Sequence, residues 1–273
     1  MTARDLLAED RLSDAIVTQR ALVDANPIDF AARLMMFELF VVAGRFLDAH
    51  AELKLFEEGA REFRKYAQSM RRLLRAERRR QHDFKPSLLA DPPMHLRCRW
   101  HAVKASRDRN VVKTLKWADR AEEKSPHVRG HVNGRPFEGM RDADDRFASL
   151  FEFLVDKRYY WVPFEQVKKL TLGAAEGVLD TVLRPAEITL QKNLRSASLL
   201  PLVLQSEVIT IQGHLPLVYP GTAFAGRDES LVLGRDADFT ELAGMVIGIG
   251  ERVMTFGEEE IPLGEVQQLE IKK

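Results

Sequence analysis

Apolar residues in roughly the first 125 positions recur at intervals of three and four, the pattern of helices that bury one face. It predicts two short helices within residues 3–25, one from Ile28 to Gly44, and one each over Arg45–Glu58, Ala60–His82 and Met94–Ser106. Asn26-Pro27 and Gly44 lie at predicted helix ends, where proline or glycine stops helical geometry. The first part of the chain is therefore predicted to be helical.

Two stretches of the helical part resemble each other at a fixed spacing. Asp10–Ala15 aligns with Gly44–Ala49, 34 positions further along the chain. This is the period of tetratricopeptide repeats (TPR), in which a small residue lets two antiparallel helices approach closely and a proline closes the unit. A weaker third copy covers Arg109–Pro126. Because the full consensus is absent, the prediction is a TPR-like helical array.

A β-hairpin is predicted where the helical pattern gives way to short strands. Two runs rich in aromatic and β-branched residues, Phe147–Val155 and Tyr159–Phe164, flank the charged trio Asp156-Lys157-Arg158. Such runs around a short polar break are typical of paired strands. Pro163 cannot donate a ladder hydrogen bond, so we expect it at a strand end or on an edge.

The remainder of the chain has the composition of short strands separated by turns. Strand-like runs occur at Glu187–Leu190, Leu199–Leu204, Leu231–Leu233, Met245–Ile249, Arg252–Phe256 and Val266–Ile271. Many short strands without a long helix between them favour an antiparallel sheet or small barrel. The predicted class is α+β, with a TPR-like helical domain over residues 1–130 and a mostly antiparallel β domain over residues 131–273.

The composition of the chain indicates its cellular location more than its function. Hydrophobic residues make up 45% of the chain and charged residues 30%, which is ordinary for a globular protein. No apolar run reaches the roughly 18–20 residues that cross a bilayer, and no signal peptide is visible at the N-terminus. Cys98 is the single cysteine and has no internal disulfide partner. We expect a reducing, cytoplasmic location with no membrane contact.

The formal net charge is zero, but basic residues are concentrated in one predicted helix. The stretch Arg61–Lys85 carries ten basic side chains against only Glu62, Glu77 and Asp83. Arginine clusters bind phosphate, so nucleic-acid binding through Arg71–Arg80 is the alternative function. A solvated face, or one that pairs with acidic protein surface, is favoured because no recognition motif accompanies the cluster.

Few residues are arranged for catalysis or metal binding. Asp142, Asp144 and Asp145 suit a hard metal ion, but the glycine and glutamate of a calcium loop are missing, and a solvated turn is favoured. The pair His127 and His131 has zinc spacing only on a helix, which nearby glycine and proline disfavour. No nucleophile elbow or Walker loop is present. We predict a non-enzymatic protein with no catalytic, cofactor-binding or metal-binding residues.

Binding of another protein is the function that the helical pattern favours. TPR-like arrays present a concave face that accepts a helix or an extended peptide. Large apolar side chains in the helical part are candidates to line that face, although core packing is the commoner role for each. The candidate partner-binding residues are Phe37, Phe40, Trp100 and Trp117.

Several motifs resemble one known family. The run Tyr159-Tyr160-Trp161-Val162-Pro163-Phe164-Glu165, after a TPR-like half and Gly139–Asp145, resembles the ImpE/TagJ family of type VI secretion accessory proteins. Further matches are Asn26–Arg33, Arg184-Pro185-Ala186 and Tyr219-Pro220-Gly221-Thr222. The resemblance implies a cytoplasmic, non-enzymatic adaptor that binds the N-terminal helix of the small sheath subunit, TssB, and modulates sheath assembly or recycling.

Overall fold

The structure is a computed structural model that describes residues 1–57, 61–84, 86–88, 92–191, 209–223 and 228–272. The chain opens with a run of helices, in agreement with the apolar periodicity. These are α1 (Ala3–Ala8), α2 (Leu12–Ala25), α3 (Phe30–Val42), α4 (Phe46–Glu57), α5 (Arg61–Arg78), α6 (Met94–Arg107) and α7 (Val111–Lys124). A π-helical segment, Arg79–Asp83, extends α5. Helices α1 to α5 pack against their neighbours in sequence, and α6 packs against α7.

Local chemistry sets the ends of these helices. Thr2 and Asp5 form a capping box at α1, in which each side chain accepts a hydrogen bond from the other residue's backbone N–H. The Asp29 carboxylate caps α3 by accepting from the backbone N–H of Ala32 at 3.0 Å. Helices α2 and α4 begin 34 positions apart, at Leu12 and Phe46. The TPR-like assignment of this array stays a prediction.

The rest of the chain is mostly antiparallel β-structure, so the α+β prediction is confirmed. Its strands are β1 (Ser87–Leu88), β2 (Arg129–Val132), β3 (Arg135–Glu138), β4 (Met140–Asp142), β5 (Leu150–Val155), β6 (Arg158–Pro163), β7 (Val167–Leu172), β8 (Leu183–Leu190), β9 (Thr210–Pro216), β10 (Ala237–Leu242), β11 (Met245–Gly250), β12 (Val253–Phe256), β13 (Glu259–Pro262) and β14 (Gln268–Lys272). Within the described residues, a nine-stranded sheet has the order β1-β6-β5-β9-β8-β7-β14-β2-β3. Smaller sheets join β10 to β11, and β13 to β12 and β4. The division of the chain near residue 130 stays a prediction.

The predicted hairpin is confirmed as β5 and β6, which pair antiparallel from Leu150 opposite Pro163 to Val155 opposite Arg158. Pro163 is the last residue of β6, as expected for a residue that cannot donate to the ladder. One predicted strand is wrong, because Leu231–Leu233 lies largely within the short helix α8 (Glu229–Val232). The Asp228 carboxylate caps that helix by accepting from the backbone N–H of Ser230. The predicted strand Leu199–Leu204 lies outside the described residues.

The hairpin is buried on both faces and therefore joins two apolar cores. Alternate side chains point to opposite faces of a strand. On one face, Leu150 and Leu154 of β5 and Tyr159 and Trp161 of β6 pack into the core that contains the helices. On the other face, aromatic and aliphatic side chains pack into a core made of strands; they are Phe151, Phe153, Tyr160 and Val162. The helices thus cover one face of the central sheet.

A buried ionic network lies on the helical side of this hairpin. Glu152 of β5 is fully buried, and its Oε2 lies 3.1 Å from Arg80 Nε and 3.1 Å from Arg252 Nη1. Arg80 also donates to Glu77, at 2.9 Å, and to the backbone carbonyl of Val218. Although burial acts to lower it, Glu152 and Glu77 raise the pKa of Arg80 above its ordinary value. Arginines from the extension of α5 and from the link between β11 and β12 therefore meet at one carboxylate of the hairpin.

Among the described residues, no helix combines the length and the apolar character that a bilayer crossing requires.

Removing the central carboxylate should destabilise the fold strongly. We expect Glu152→Gln to lower the free energy of unfolding by about 3 kcal/mol or more, because two buried arginines lose a shared counter-charge. Arg72→Met is the matched control, since it breaks an exposed ion pair with Asp156 and should cost at most about 1 kcal/mol. Urea denaturation followed by tryptophan fluorescence measures both. Similar losses in the two variants would contradict a central role for Glu152.

Glu251 makes stability depend on pH in the neutral range. Burial, together with Glu265 and Asp236, raises the pKa of its carboxyl from an ordinary 4.5 to about 7. The folded chain then holds this proton more tightly than the unfolded chain does, so the free energy of unfolding falls as pH rises from 4.5 to about 7. We expect Glu251→Gln to be more stable than the parent at pH ~8 by roughly 1–2 kcal/mol, a figure reduced for solvent screening at this half-buried site.

Thermal unfolding at pH ~5 and pH ~8 tests this expectation, since the gain should shrink at the lower pH. Glu258→Gln, in an exposed turn of the same region, should change the free energy of unfolding by less than about 0.5 kcal/mol at either pH. A gain of the same size at both pH values would show that ionisation of Glu251 is not its source.

Candidate functional site

Two of the four predicted partner-binding residues are core residues. Phe37 and Phe40 of α3 are 0% and 1% exposed and pack within the helical core. The Arg45 guanidinium further covers the Phe40 ring, 4.6 Å from its centroid. In this conformation neither phenylalanine presents a surface to a partner, because the apolar spacing that suggested them is also the spacing of a buried helix face.

The two predicted tryptophans lie elsewhere and are partly exposed. Trp100 of α6 packs edge-on against Trp161 of the hairpin, with ring centroids 5.6 Å apart. Trp117 of α7 stacks on His101, with centroids 4.8 Å apart. The structure therefore does not gather the four predicted residues into one binding surface. A partner-binding role for Trp100 and Trp117 stays a prediction.

An open groove lies between the N-terminal half of α4 and the C-terminal half of α5, and we call it the basic groove. Its volume is about 440 Å³. Apolar and basic side chains line it together with Gly44; they are Phe46, Leu47, His50, Arg71, Leu74, Arg75, Arg78 and His82. Leu47 is 85% exposed, whereas Leu74 is only 8% exposed at the floor. The groove thus combines an apolar floor with a cationic rim.

The turn before α4 forms the end of the groove that lies at Gly44. Gly44 follows α3 with a φ of +68°, and the backbone N–H of Arg45 reaches back to the carbonyl of Phe40 at 2.8 Å. This is the left-handed helix stop that glycine favours. A Cβ on Gly44 would lie 2.9 Å from the Cβ of Ala223, so both backbone angle and space require glycine. The turn places Phe46 and Leu47 in the first turn of α4.

The amphipathic pattern of α5 supplies the rim. Apolar residues at helical spacing face inward, and they are Phe63, Tyr66, Ala67, Met70, Leu73, Leu74 and Ala76. Most of the arginines are left on the outer face, as the sequence predicted. Arg80 is the exception, because it is fully buried in the ionic network. Arg72 is exposed but pairs with Asp156 at 3.2 Å. Arg71–Arg80 is therefore not one uniform basic surface.

Four cations form a second concavity that adjoins the groove. Arg75, Arg78, Arg79 and Lys157 line a volume of about 450 Å³, and the first two also line the basic groove. Within the described part of the chain, none of these four side chains lies within 4.0 Å of a carboxylate oxygen. The cations of this concavity are thus not neutralised by ion pairs with the described residues.

The acidic turn serves the fold, and the favoured prediction of a solvated turn is wrong for Asp142 and Asp144, which are both 0% exposed. Asp142 pairs with Arg252, and the carboxylate of Asp144 accepts hydrogen bonds from Arg146 and from the backbone N–H of Gly248 at 2.7 Å. Asp145 pairs with Arg141. Since their oxygens face guanidinium groups and amides, these carboxylates hold the turn against β11. No cluster of possible metal ligands occurs among the described residues.

A serine, a histidine and a carboxylate come together in a way that the sequence did not predict. His95 of α6 lies 3.2 Å through Nδ1 from Ser149 Oγ and 2.7 Å through Nε2 from Glu165 Oε1. Their separations in sequence, 54 and 70 positions, hid the arrangement. His95 is 1% and Ser149 9% exposed. Both histidine nitrogens take part in hydrogen bonds, and the serine is buried. We therefore interpret these hydrogen bonds as a structural link between α6 and the residues that flank the hairpin.

Truncating Leu47 should change the free energy of unfolding far less than truncating Phe37. We expect Leu47→Ser to change the free energy of unfolding by less than about 0.5 kcal/mol, because its side chain is solvated. Phe37→Ala should cost about 3–5 kcal/mol, because it leaves a cavity in the core. Chemical denaturation of both variants measures the difference. A large loss for Leu47→Ser would show that the groove is a structural contact.

This chain is similar in fold to a solved structure and in sequence to a named relative. A crystal structure of a Vibrio parahaemolyticus protein superposes with a TM-score of 0.84 at 22% sequence identity, covering 99% of this chain and 97% of that chain. The two proteins share the fold. A relative from Pseudomonas aeruginosa, the type VI secretion system accessory component TagJ, is 24% identical over 276 residues, which span 100% of this chain and 92% of that protein.

The family assignment depends on the β-rich part. Residues 134–270, just over half of the chain, match the family described as ImpE protein. The matched stretch includes the buried hairpin β5–β6 and the Tyr159–Glu165 motif on which the sequence resemblance was based. This chain belongs to the ImpE family.

Proposed function

We propose that this protein is a non-enzymatic accessory component of a type VI secretion system and acts by binding another component. The observation that carries the proposal is the alignment of the whole chain with the accessory component TagJ of P. aeruginosa. Family membership and the shared fold support it. A cytoplasmic location, where a sheath-associated adaptor would work, is part of the proposal.

The finer proposal is that the partner is the N-terminal helix of the small sheath subunit, and that this contact modulates sheath assembly or recycling. The family resemblance suggests the partner. The helical part of the chain supports the mode of binding, since it offers an open groove between two helices of the kind that accepts a third. A few apolar anchors usually supply most of the affinity of such a contact.

The arrangement of buried polar groups supports binding over catalysis. The carboxylates of Asp142, Asp144 and Glu152 are held by arginines, and His95 is held between Ser149 and Glu165. These groups stabilise contacts between elements of the fold. The lining of the basic groove is instead apolar and cationic, which suits recognition of a protein surface.

Titration with the partner helix tests the proposed function. We expect a synthetic peptide of the sheath subunit's N-terminal helix to bind the full-length protein with a Kd below about 100 μM, which corresponds to about −5.5 kcal/mol. Isothermal titration calorimetry measures it, and a scrambled peptide of the same composition is the control. No heat of binding at ~100 μM peptide, or equal binding of the scrambled peptide, would contradict the proposal.

A further inference from the structure

We propose that the basic groove is the docking surface for the partner and that its occupant is an amphipathic helix with an acidic flank. The inference rests on the proposed function for the partner's role, but it concerns a surface and a chemistry that the family resemblance does not provide. Three properties of the groove lead to it: its exposed apolar side chains, its length and its charge.

Two of the apolar side chains at the groove, Leu47 and Phe46, are more exposed than the fold requires. Leu47 is 85% exposed in the first turn of a helix whose other face is buried against α3 and α5. Phe46 is partly exposed beside it, and Leu74 forms the floor. Exposed apolar side chains that line a concave surface are typical of protein interaction sites. A helix that placed apolar residues here would remove these side chains from water.

The length of the groove fits a short helix. From Arg71 to His82, α5 and its π-helical extension rise about 16 Å at roughly 1.5 Å per residue. A partner helix of about three turns spans this distance. Its apolar residues at i, i+3 or i+4, and i+7 form one stripe, which is the pattern of helix-in-groove recognition. An extended strand is less suited, because the groove walls are helices whose backbone groups are already paired.

The positive charge of the rim favours a partner helix that carries acidic residues. Arg75 and Arg78 border both the groove and the adjoining concavity, where Arg79 and Lys157 complete a set of cations without a carboxylate partner among the described residues. A helix with glutamates or aspartates beside its apolar stripe would neutralise them. A basic helix would bring like charges together and would be rejected.

Two other surfaces are less suited to this occupant. The outer face of α7 exposes Val112 at 79%, but this side chain lines neither the basic groove nor the adjoining concavity. A depression between α1, α3 and residues 176–181 contains Arg4 and Glu38 together. Its charges are mixed, and Glu38 already accepts a hydrogen bond from the backbone N–H of Val178 at 2.9 Å. Neither surface combines an apolar floor, such as that of the basic groove, with a rim of one sign.

A pair of model peptides tests the groove independently of the sheath subunit. The first is a helical peptide of about 14 residues with a leucine stripe at i, i+3, i+4 and i+7 and glutamates on both flanks. The second replaces every glutamate with lysine. We expect the acidic peptide to bind the full-length protein at least ten-fold more tightly than the basic one, with an affinity that falls as salt is raised. Equal affinity of the two peptides would overturn the inference.

Matched variants locate the binding surface. We expect Leu47→Glu to weaken binding of the acidic peptide at least ten-fold, and Arg75→Glu with Arg78→Glu to do the same while flattening the salt dependence. Val112→Glu and Lys116→Glu on α7 make the same chemical changes at exposed sites outside the groove and should alter affinity less than about two-fold. Circular dichroism confirms that each variant is folded. Loss of binding in the α7 variants with retention in the groove variants would overturn the inference.

The sheath-helix peptide separates this inference from the proposed function. If that peptide binds the parent protein and the groove variants equally well, the proposed function stands and the groove is the wrong surface. If it fails to bind while the acidic model peptide binds through Leu47 and Arg75, the groove is confirmed and the proposed partner is wrong. A short DNA duplex that binds more tightly than the acidic peptide and displaces it would show that the occupant is a nucleic acid, which would overturn the inference.

Discussion

The buried carboxylate of Glu152 is the point at which the helices and the sheet of this protein are joined. It lies in β5 of the central hairpin and is shared by Arg80, from the extension of α5, and Arg252, from the link between β11 and β12. Burying charges is unfavourable unless they are paired with good geometry, so the network tolerates few other arrangements of these elements. The docking of helices on sheet is therefore specified by charge as well as by apolar contact.

The same helix supplies both this internal junction and the outer rim of the groove. Beyond Arg78 the chain continues as a π-helical segment in which Arg80 points inward while Arg79 remains exposed. Because Arg80 is anchored to Glu152, the C-terminal half of α5 is held firmly against the hairpin. Arg75 and Arg78 are consequently presented on a supported surface. Such a surface loses little conformational freedom when a partner binds, which favours affinity.

The polar clusters at Asp142–Asp145 and His95 form contacts inside the fold, whereas the side chains proposed to recognise a partner lie on the surface. The acidic turn at Asp142–Asp145 and the link through His95 connect elements of the fold. The basic groove, in contrast, leaves Leu47 and several cations open to solvent. This division supports the proposed function, in which this ImpE-family protein holds another polypeptide. The groove's composition further suggests how one helix could be distinguished from another by charge.

The sequence by itself determined the helical first part, the hairpin β5–β6 and the α+β class, because these follow from periodicity and turn chemistry within short windows. It also located the arginines of α5. Only the tertiary structure decided which large side chains are accessible: Phe37 and Leu47 are both apolar residues on predicted helices, yet one is buried and the other exposed. It likewise decided that Arg80 is internal, because its counter-charge Glu152 lies 72 positions away. Local spacing shows that a helix has an apolar face, but what covers that face depends on contacts between residues far apart in the chain.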